Sequence, residues 1–570
     1  MDISPNALYL HLLADLGDRV EPGCPSWSID STTEQVFAYC LRNSLLKKYN
    51  SEDNPSDEAC GAALKKFIAI NERCAEWSFS KVESSLDEML LFGLKAEVER
   101  FWYKGGLTPL VSDVRELFVN GRSGPGASLN ARDYDFYTKM FDSPLSGTKD
   151  LPIIWERCVS MNGLFAEAEA SRRLVHGFSE VDSSRYSFVN KTTTIARGIC
   201  TEPTINMWFQ LGLGAILERR LLSYFKIDLA SQPDHNRVLA NVGSKTDRLT
   251  TIDLESASDS MSLGMLKWLL PRSFYSLLVY LRCGKTLLPN GSSLELNMVS
   301  TMGNGFTFPL QTMLFSCVVS SVARFFNVKL DKANFGVFGD DIICPREITR
   351  TVIRVLTTLG FTVNSEKTFV EGPFRESCGT DYFNGVNVRG VYIKRLRTQQ
   401  DLYVAINSLN RWSAISGIYL NSTVNYLSGY IKRKLYVPLD ESDDSGLKLP
   451  FTLLPHKKLN KRGCAPYRKY QASVNAFYIL GDHVWTFRDQ VPRNYNPSGL
   501  FLSLLFGCIR GYRVTLRQRV TQYAVRDKIT PCWDYLPPRP HDDLHGHLGF
   551  KRFVDACTWN LFDSSFGIAL

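Results

Sequence analysis

The run Phe335-Gly336-Val337-Phe338-Gly339-Asp340-Asp341-Ile342-Ile343-Cys344 constrains the chain more than any other. It spells two short apolar strands joined by a tight turn, with Gly339 supplying the backbone freedom of the turn. Asp340 and Asp341 sit at the tip, where the flanking strands hold them in place. Two adjacent carboxylates repel each other, and a divalent cation relieves that conflict. Nucleotidyl transfer uses such acids to hold two metal ions about 3.5–4 Å apart, which clamp the attacking and leaving oxygens. Gly-Asp is equally ordinary turn chemistry, so the hairpin needs support from elsewhere in the chain.

A second acidic element supplies some. Leu249-Thr250-Thr251-Ile252 is a β-branched, buried-strand pattern that ends on Asp253, and an acid there projects to the sheet mouth. Asp259 lies six residues on, ahead of a helix expected over 261–270 and ended by Pro271. It is placed either to bond a sugar hydroxyl or to cap that helix. Between the two acidic elements, Ser300-Thr301-Met302-Gly303-Asn304-Gly305 opens a long apolar helix expected over 309–326. Free N–H groups and the Asn304 amide then face a substrate. Upstream, Lys191 and Arg197 flank a hydroxyl-rich, β-prone segment and suit phosphate oxygens as well as solvent. Downstream of a helix over 348–359, Lys367 is either a phosphate ligand or proton donor, or an exposed turn lysine. The glycine-rich loop at 120–128 matches no nucleotide fingerprint and reads equally as a nucleic-acid approach or a turn cluster.

Charge locates a polyanion surface. Residues 401–570 hold 22 Lys and Arg against 13 Asp and Glu, a net +9, whereas the first 400 residues carry −1. Lys457, Lys458, Lys461 and Arg462 begin a run that continues to Arg468 and Lys469 without an acid. Arg510, Arg513 and Arg517 follow at helical spacing. Cations interleaved with tyrosines suit single-stranded nucleic acid. The fourteen cysteines form no Cys-x-x-Cys pair, which argues against a zinc site or redox motif. The His541–His547 cluster sits among Pro and Gly that fix no ligand register, and reads as a tail. Helical patterns run over 7–13, 34–46, 86–101 and 206–222, and 50–60 reads as a polar loop. No basic leader and no membrane-length apolar run is expected, which points to a cytosolic protein.

In combination, the basic strand, the acid-tipped strand, the Gly-Asn helix mouth, the Gly-Asp-Asp hairpin and the Lys367 strand resemble the palm of a right-handed RNA-dependent RNA polymerase. The phrases Ile252-Asp253-Leu254, Ser256–Ser260, Ser300–Gly305, Gly339–Pro345 and Phe374–Gly379 resemble those of levivirus replicase β subunits, with the strong resemblance over about 185–395. The resemblance implies an α+β fold with fingers, palm and thumb. Its expected divisions are an N-terminal helical region (1–100), fingers (101–238), palm (239–400, core about 239–373), basic thumb (401–535) and tail (536–570). It implies that Asp253, Asp340 and Asp341 hold two Mg²⁺ ions, with Mn²⁺ as a substitute. Asp259, Gly303 and Asn304 would meet the ribose, Lys191 and Arg197 the triphosphate, and Lys367 the departing pyrophosphate. Lys457, Lys458, Lys461, Arg462, Arg513 and Arg517 would contact RNA. It further implies an RNA template and product, ribonucleoside triphosphates, host elongation factors Tu and Ts, an RNA-binding ribosomal protein, and the cytoplasm of an infected bacterium. Phe338 stands where many relatives have Tyr, and Thr194 and Ala196 where they have Lys and Asp. A reverse transcriptase and a non-catalytic RNA-binding protein are the competing readings.

Overall fold

Two short runs of β-branched and apolar residues pair at the centre of the molecule. In the computed structural model, Leu249–Ile252 and Gly336–Phe338 flank Asp341–Pro345 in a three-stranded antiparallel sheet. The register sets Phe338 opposite Asp341, Ile342 opposite Ile252 and Pro345 opposite Leu249. Side chains alternate across such a strand. Ile342 and Cys344 enter the main core with the Thr307–Phe325 and Arg346–Thr358 helices. Ile343 faces the other way, towards Leu239 and Ala240 of the Gln232–Thr246 helix. Helices on both faces bury these strands, including Thr250 and Thr251. The structure describes all residues except 1–2, 20–29, 51, 53, 83, 474–475, 481–482, 487–491, 511–512, 516–520, 541, 543, 564–567 and 570.

The Thr307–Phe325 helix, expected over 309–326, is long and apolar enough to cross a membrane by length and composition, although no membrane-length apolar run was expected. Its residues from Leu310 to Val319 are buried, because it is the spine of the main core.

Next to the central sheet lies a four-stranded sheet of order Ser293–Glu295, Lys285–Leu287, Ser183–Asn190, Ala196–Thr201. The Asp57–Glu76 helix covers it through Phe67, Ile70 and Cys74. Residues 57–60, expected as part of a loop, are the first turn of that helix. Ser56 caps it by accepting the Ala59 N–H, and Asp57 and Glu58 complement the helix dipole. Their polarity, read as loop character, is a helix start. The expected helices at 7–13, 34–46, 86–101 and 206–222 are observed as Pro5–Leu16, Thr33–Ser44, Ser85–Trp102 and Thr204–Phe225.

The first 100 residues are shared out among three cores. Pro5–Leu16 and Thr33–Ser44 pack with the C-terminal helices Gln399–Ser416 and Asn421–Ser428. Asp57–Glu76 joins the four-stranded sheet, and Ser85–Trp102 joins the main core.

The C-terminal third departs from expectation in three places. Residues 536–570 are not a loose tail. The Gly546–Asn560 helix buries Phe553, Ala556 and Cys557 in the C-terminal core, and Asp542 accepts the Arg411 Nε–H at 2.7 Å. The Asp542 carboxylate is thereby committed to an ion pair, while His541 and Asp543 lie outside the described residues. Arg510 and Arg513 do not share a helix: they are opposed in an antiparallel strand pair, since a three-residue spacing also fits a tight hairpin. Arg517 lies outside the described residues. Within the stretch expected as one thumb, the Pro497–Leu505 helix docks on Phe136–Phe141 and Gly163–His176, which lie in the stretch expected as fingers.

Candidate active site

The sheet register brings the acids together. Asp253 follows the last residue of Leu249–Ile252, and that residue pairs with Ile342, the neighbour of Asp341. The turn between the hairpin strands carries Gly339 at φ +62°, in the region that favours glycine, and then Asp340. The Gly339 N–H donates to Thr312 Oγ1 at 3.0 Å, which ties the turn to the long helix beneath it. Phe338, in place of a tyrosine, packs edge-on against Phe308.

The three acids are differently committed. Asp341 Oδ1 accepts the Cys378 N–H at 3.2 Å and the Ser377 hydroxyl at 3.4 Å. Burial pushes its pKa up to about 6, with repulsion from Asp340 and Asp253 adding to the rise against the Cys378 bond. Asp253 Oδ2 accepts Asn364 Nδ2–H at 2.9 Å. Its pKa is also raised, first by burial and then by Asp340, while Lys367 opposes the shift. Asp340 forms no hydrogen bond or ion pair with the described residues. Among those residues, no three His, Cys, Asp or Glu side chains converge closely enough to hold an ion. Hard carboxylate oxygens suit Mg²⁺, and Asp253 and Asp340 are the residues that would hold a divalent cation here, with Asp341 tied back as support.

A second cluster adjoins the first. Asp259 lies in a short 3₁₀ turn, Ala257–Ser260, and Oδ1 accepts the Met302 N–H at 3.1 Å. It caps no helix: Ser262 does that for Leu263–Leu269 by accepting the Met265 N–H. Burial pushes the Asp259 pKa to about 6 against the Met302 bond and the charge of Arg197. The Ser300–Gly305 loop is fixed on several sides. Met302 O accepts the Cys200 N–H at 2.9 Å, Ser300 donates to Ser258 O, and Gly305 N–H donates to Gln210 Oε1. Gly303 has φ +147°, and a Cβ there would sit 1.9 Å from Cys200 O, so only glycine lets the loop lie this close. Asn304 is 9% exposed; its Oδ1 accepts from Thr301 N and Oγ1, at 2.7 and 2.9 Å. Its Nδ2 forms no hydrogen bond with the described residues.

Cations border both clusters. Lys191 opens the turn between Ser183–Asn190 and Ala196–Thr201, and Arg197 is on the second strand. Both are exposed. Although the Lys191 residue is exposed, crowding around its ammonium, with repulsion from Arg197 and Lys367, lowers its pKa, whereas Asp253 raises it. At the hairpin tip, the Thr193 N–H donates to Lys47 O at 3.1 Å. Lys367 lies on the segment that wraps Asp253: Asn364 N–H donates to Asp253 O, and Asp253 N–H to Thr368 Oγ1. It is no isolated turn lysine, since its Nζ stands 3.5 Å from Glu376 Oε1. Burial opposes its charge, but Glu376 and Asp253 outweigh burial and raise its pKa.

Sequence reasoning missed Asn364, Glu376, Asp381 and Arg389, which surround Lys367 and Asp253. Glu376 stood inside the phrase Phe374–Gly379, but a single acid in a strand signals no role. The glycine-rich loop at 120–128 is anchored from within, where buried Lys139 donates to the carbonyls of Gly124 and Gly126 and a Cβ on Gly121 would collide with Trp208, while Arg122 and Pro125–Ala127 stay exposed. The basic run at 457–462 is exposed and free of ion pairs among the described residues, while Arg468 and Lys469 are spent on Asp527 and Glu441. The side chain of Arg513 lies outside the described residues.

The family model for RNA replicase, beta-chain, matches residues 9–442. The RNA-directed RNA polymerase subunit beta of Escherichia virus Qbeta is 43% identical over 407 residues, 70% of this chain and 66% of that protein. That of Enterobacteria phage SP is 40% identical over 251 residues, 44% and 43% of the two chains. The RNA-directed RNA polymerase beta chain of Enterobacteria phage fr is 31% identical over 440 residues, 72% and 76%. The matches to the SP and Qbeta proteins thus span from about two-fifths to just under two-thirds of those relatives' own length. An RNA-dependent RNA polymerase from a human picobirnavirus, an insertion-loop deletion mutant, aligns with 75% of this chain and 93% of its own, at 12% identity and a TM-score of 0.35. With three-quarters of its length matched by the family model, the chain belongs to the RNA replicase beta-chain family.

Proposed function

We propose that this chain is the catalytic subunit of a viral replicase, an RNA-directed RNA polymerase. It would copy a positive-strand RNA genome through a minus-strand intermediate. The observation that carries the reading is the meeting of Asp253 with Asp340–Asp341 across paired central strands, beside a loop that ties Asp259 to Asn304. Mg²⁺ bound by Asp253 and Asp340 would activate the growing 3′-hydroxyl and neutralise the triphosphate, with Mn²⁺ able to replace it. Asp341, braced by Cys378, sets the turn that aims Asp340. Lys191 and Arg197 hold triphosphate oxygens as charge builds in transfer. Asp259 and Asn304 read the ribose, a carboxylate and an amide together matching a 2′-hydroxyl that donates and accepts. Lys367 protonates the departing pyrophosphate.

Its substrates are then an RNA template and ribonucleoside triphosphates, and its setting the cytoplasm of an infected bacterium. Host elongation factors Tu and Ts and an RNA-binding ribosomal protein are proposed partners on family resemblance. The decisive assay is nucleotide incorporation on an RNA template, with and without divalent cation. Cation-dependent use of ribonucleotides supports the reading. Preference for deoxynucleotides would favour a reverse transcriptase, and RNA binding without incorporation a non-catalytic protein.

A further inference from the structure

Beyond the acids lies an arrangement whose cost calls for an explanation. The strands Phe374–Ser377 and Thr380–Phe383 form a tight antiparallel hairpin in which Glu376 stands directly opposite Asp381. Like charges at facing positions destabilise a sheet. Asp381 is buried, and burial pushes its pKa to about 6 against the attraction of Arg389. Two cations answer the two acids. Arg389 Nη1 donates to both Asp381 oxygens, at 3.0 and 2.9 Å, and lies 3.7 Å from Glu376 Oε1. Its guanidinium is held over the Tyr392 ring, 4.9 Å from the centroid. Arg389 is thus committed to Asp381 by two hydrogen bonds and to a ring face, and touches Glu376 only loosely. The other cation within reach of Glu376 is Lys367, at 3.5 Å.

Strand alternation makes this placement specific. Arg375 points to one face, where it donates to Leu249 O and pairs with Asp247 beneath the central sheet. Glu376 points to the opposite face, the one covered by the segment carrying Lys367. That segment is anchored on Asp253 through Asn364 and Thr368. The hairpin therefore presents one carboxylate to the lysine that borders the candidate metal acids.

We propose that Glu376 is a positioning residue for Lys367: facing Asp381–Arg389 across the hairpin, it holds the Lys367 ammonium beside Asp253, where the triphosphate's leaving end would lie. The inference rests on the polymerase reading. In the step concerned, the 3′-hydroxyl gives up its proton to solvent, its oxygen forms a bond to the α-phosphorus, and the bond from that phosphorus to the bridging oxygen breaks. Lys367 gives its proton to the pyrophosphate oxygen and is reprotonated from solvent. Glu376 takes no part in that bond making. It removes the freedom of a four-carbon side chain that otherwise sweeps through solvent.

The test is single-nucleotide incorporation by the full chain, in the assembly in which it polymerises. The variants are Glu376→Gln, Lys367→Ala and the double variant, with Glu376→Asp as the charge-keeping control. Glu376→Gln is expected to lower kcat about ten- to a hundredfold with little change in KM. Glu376→Asp should recover much of that loss. Combined with Lys367→Ala, Glu376→Gln should add nothing further, because the group it positions is already gone. A merely structural role predicts that the two losses multiply and that the thermal midpoint falls with kcat. Multiplying losses, or an undiminished kcat in Glu376→Gln, would overturn the inference. If Glu376→Gln is unfolded, the Glu376→Asp and Lys367→Ala pair decides: Glu376→Asp must lower kcat in the wild-type background and have no effect once Lys367 is removed. Loss of activity in Asp340→Asn alongside an undiminished Glu376→Gln would sink this inference alone. A wild-type chain that incorporates nothing would take the polymerase reading down with it.

Discussion

Asp259 accepts the Met302 N–H and feels Arg197, yet burial still raises its pKa to about 6. A carboxyl whose folded pKa lies above its unfolded value stabilises the fold below the unfolded pKa. That contribution is lost as pH rises through the folded one, here between about pH 4 and about 6. Asp259→Asn keeps an acceptor for Met302 and removes the buried charge. It should therefore raise unfolding stability at pH 7 by roughly 1–3 kcal/mol and give no gain at pH 4. Thermal melts at the two pH values check this. The same variant should erode the preference for ribo- over deoxyribonucleotides, by roughly 5- to 150-fold if one buried polar contact is lost. A more stable but less selective protein is the mark of a functional charge, and an unchanged sugar ratio would remove Asp259 from substrate reading. The positions of Asp253, Asp259, Asn304, Asp340 and Asp341 were legible because turn glycines and strand ends are local signals. Glu376 and Arg389 were not, since their partners come from segments brought together only by folding.

Among the elements, the Pro497–Leu505 helix shows how a short insertion fastens distant parts. Its cap, Asn496, is fully buried; Oδ1 accepts the Gly499 N–H at 2.8 Å and Nδ2 donates to Ala168 O at 2.8 Å. Tyr137 donates its hydroxyl to Asn494 O and accepts the Asn496 N–H. Asn496→Ala removes the cap and leaves the Ala168 carbonyl without this donor. The expected cost is about 1–3 kcal/mol in chemical unfolding, with earlier proteolysis around residues 494–508. Equal stability and protection would show that the helix docks through its apolar face alone. Long periodic helices such as Thr204–Phe225 were readable from spacing. The strand pair at Arg510 and Arg513 was not, because every third residue is basic in a helix stripe and across a tight turn alike. The Asp57–Glu76 helix was obscured by its own acidic first turn.

At the scale of the whole molecule, ion pairs within the C-terminal third leave its net positive excess unchanged but decide which of its cations are engaged. Arg468 and Lys469 are paired, whereas Lys457, Lys458, Lys461 and Arg462 stay exposed and free of ion pairs among the described residues. Charge counting singled out the region but not the residues that keep their charge available, since pairing depends on tertiary partners. Replacing those four by Ala should weaken RNA binding across sequences. It should also reduce the slope of log K against log salt by up to about 3, the counterions released by four contacts to a single strand. Binding titrations at several salt concentrations measure this. An unchanged slope would assign the run to solvent.

Asp340 is the carboxylate that the described residues leave uncommitted, placed against Asp253 at the tip of the central hairpin. The most direct measurement is single-turnover ribonucleotide addition on an RNA template with Mg²⁺, comparing wild type with Asp340→Asn, alongside RNA binding by both. The proposed metal-holding role of Asp340 predicts that Asp340→Asn loses addition by at least about a thousandfold while binding RNA as wild type does. Addition near the wild-type rate in the folded Asp340→Asn variant would contradict it.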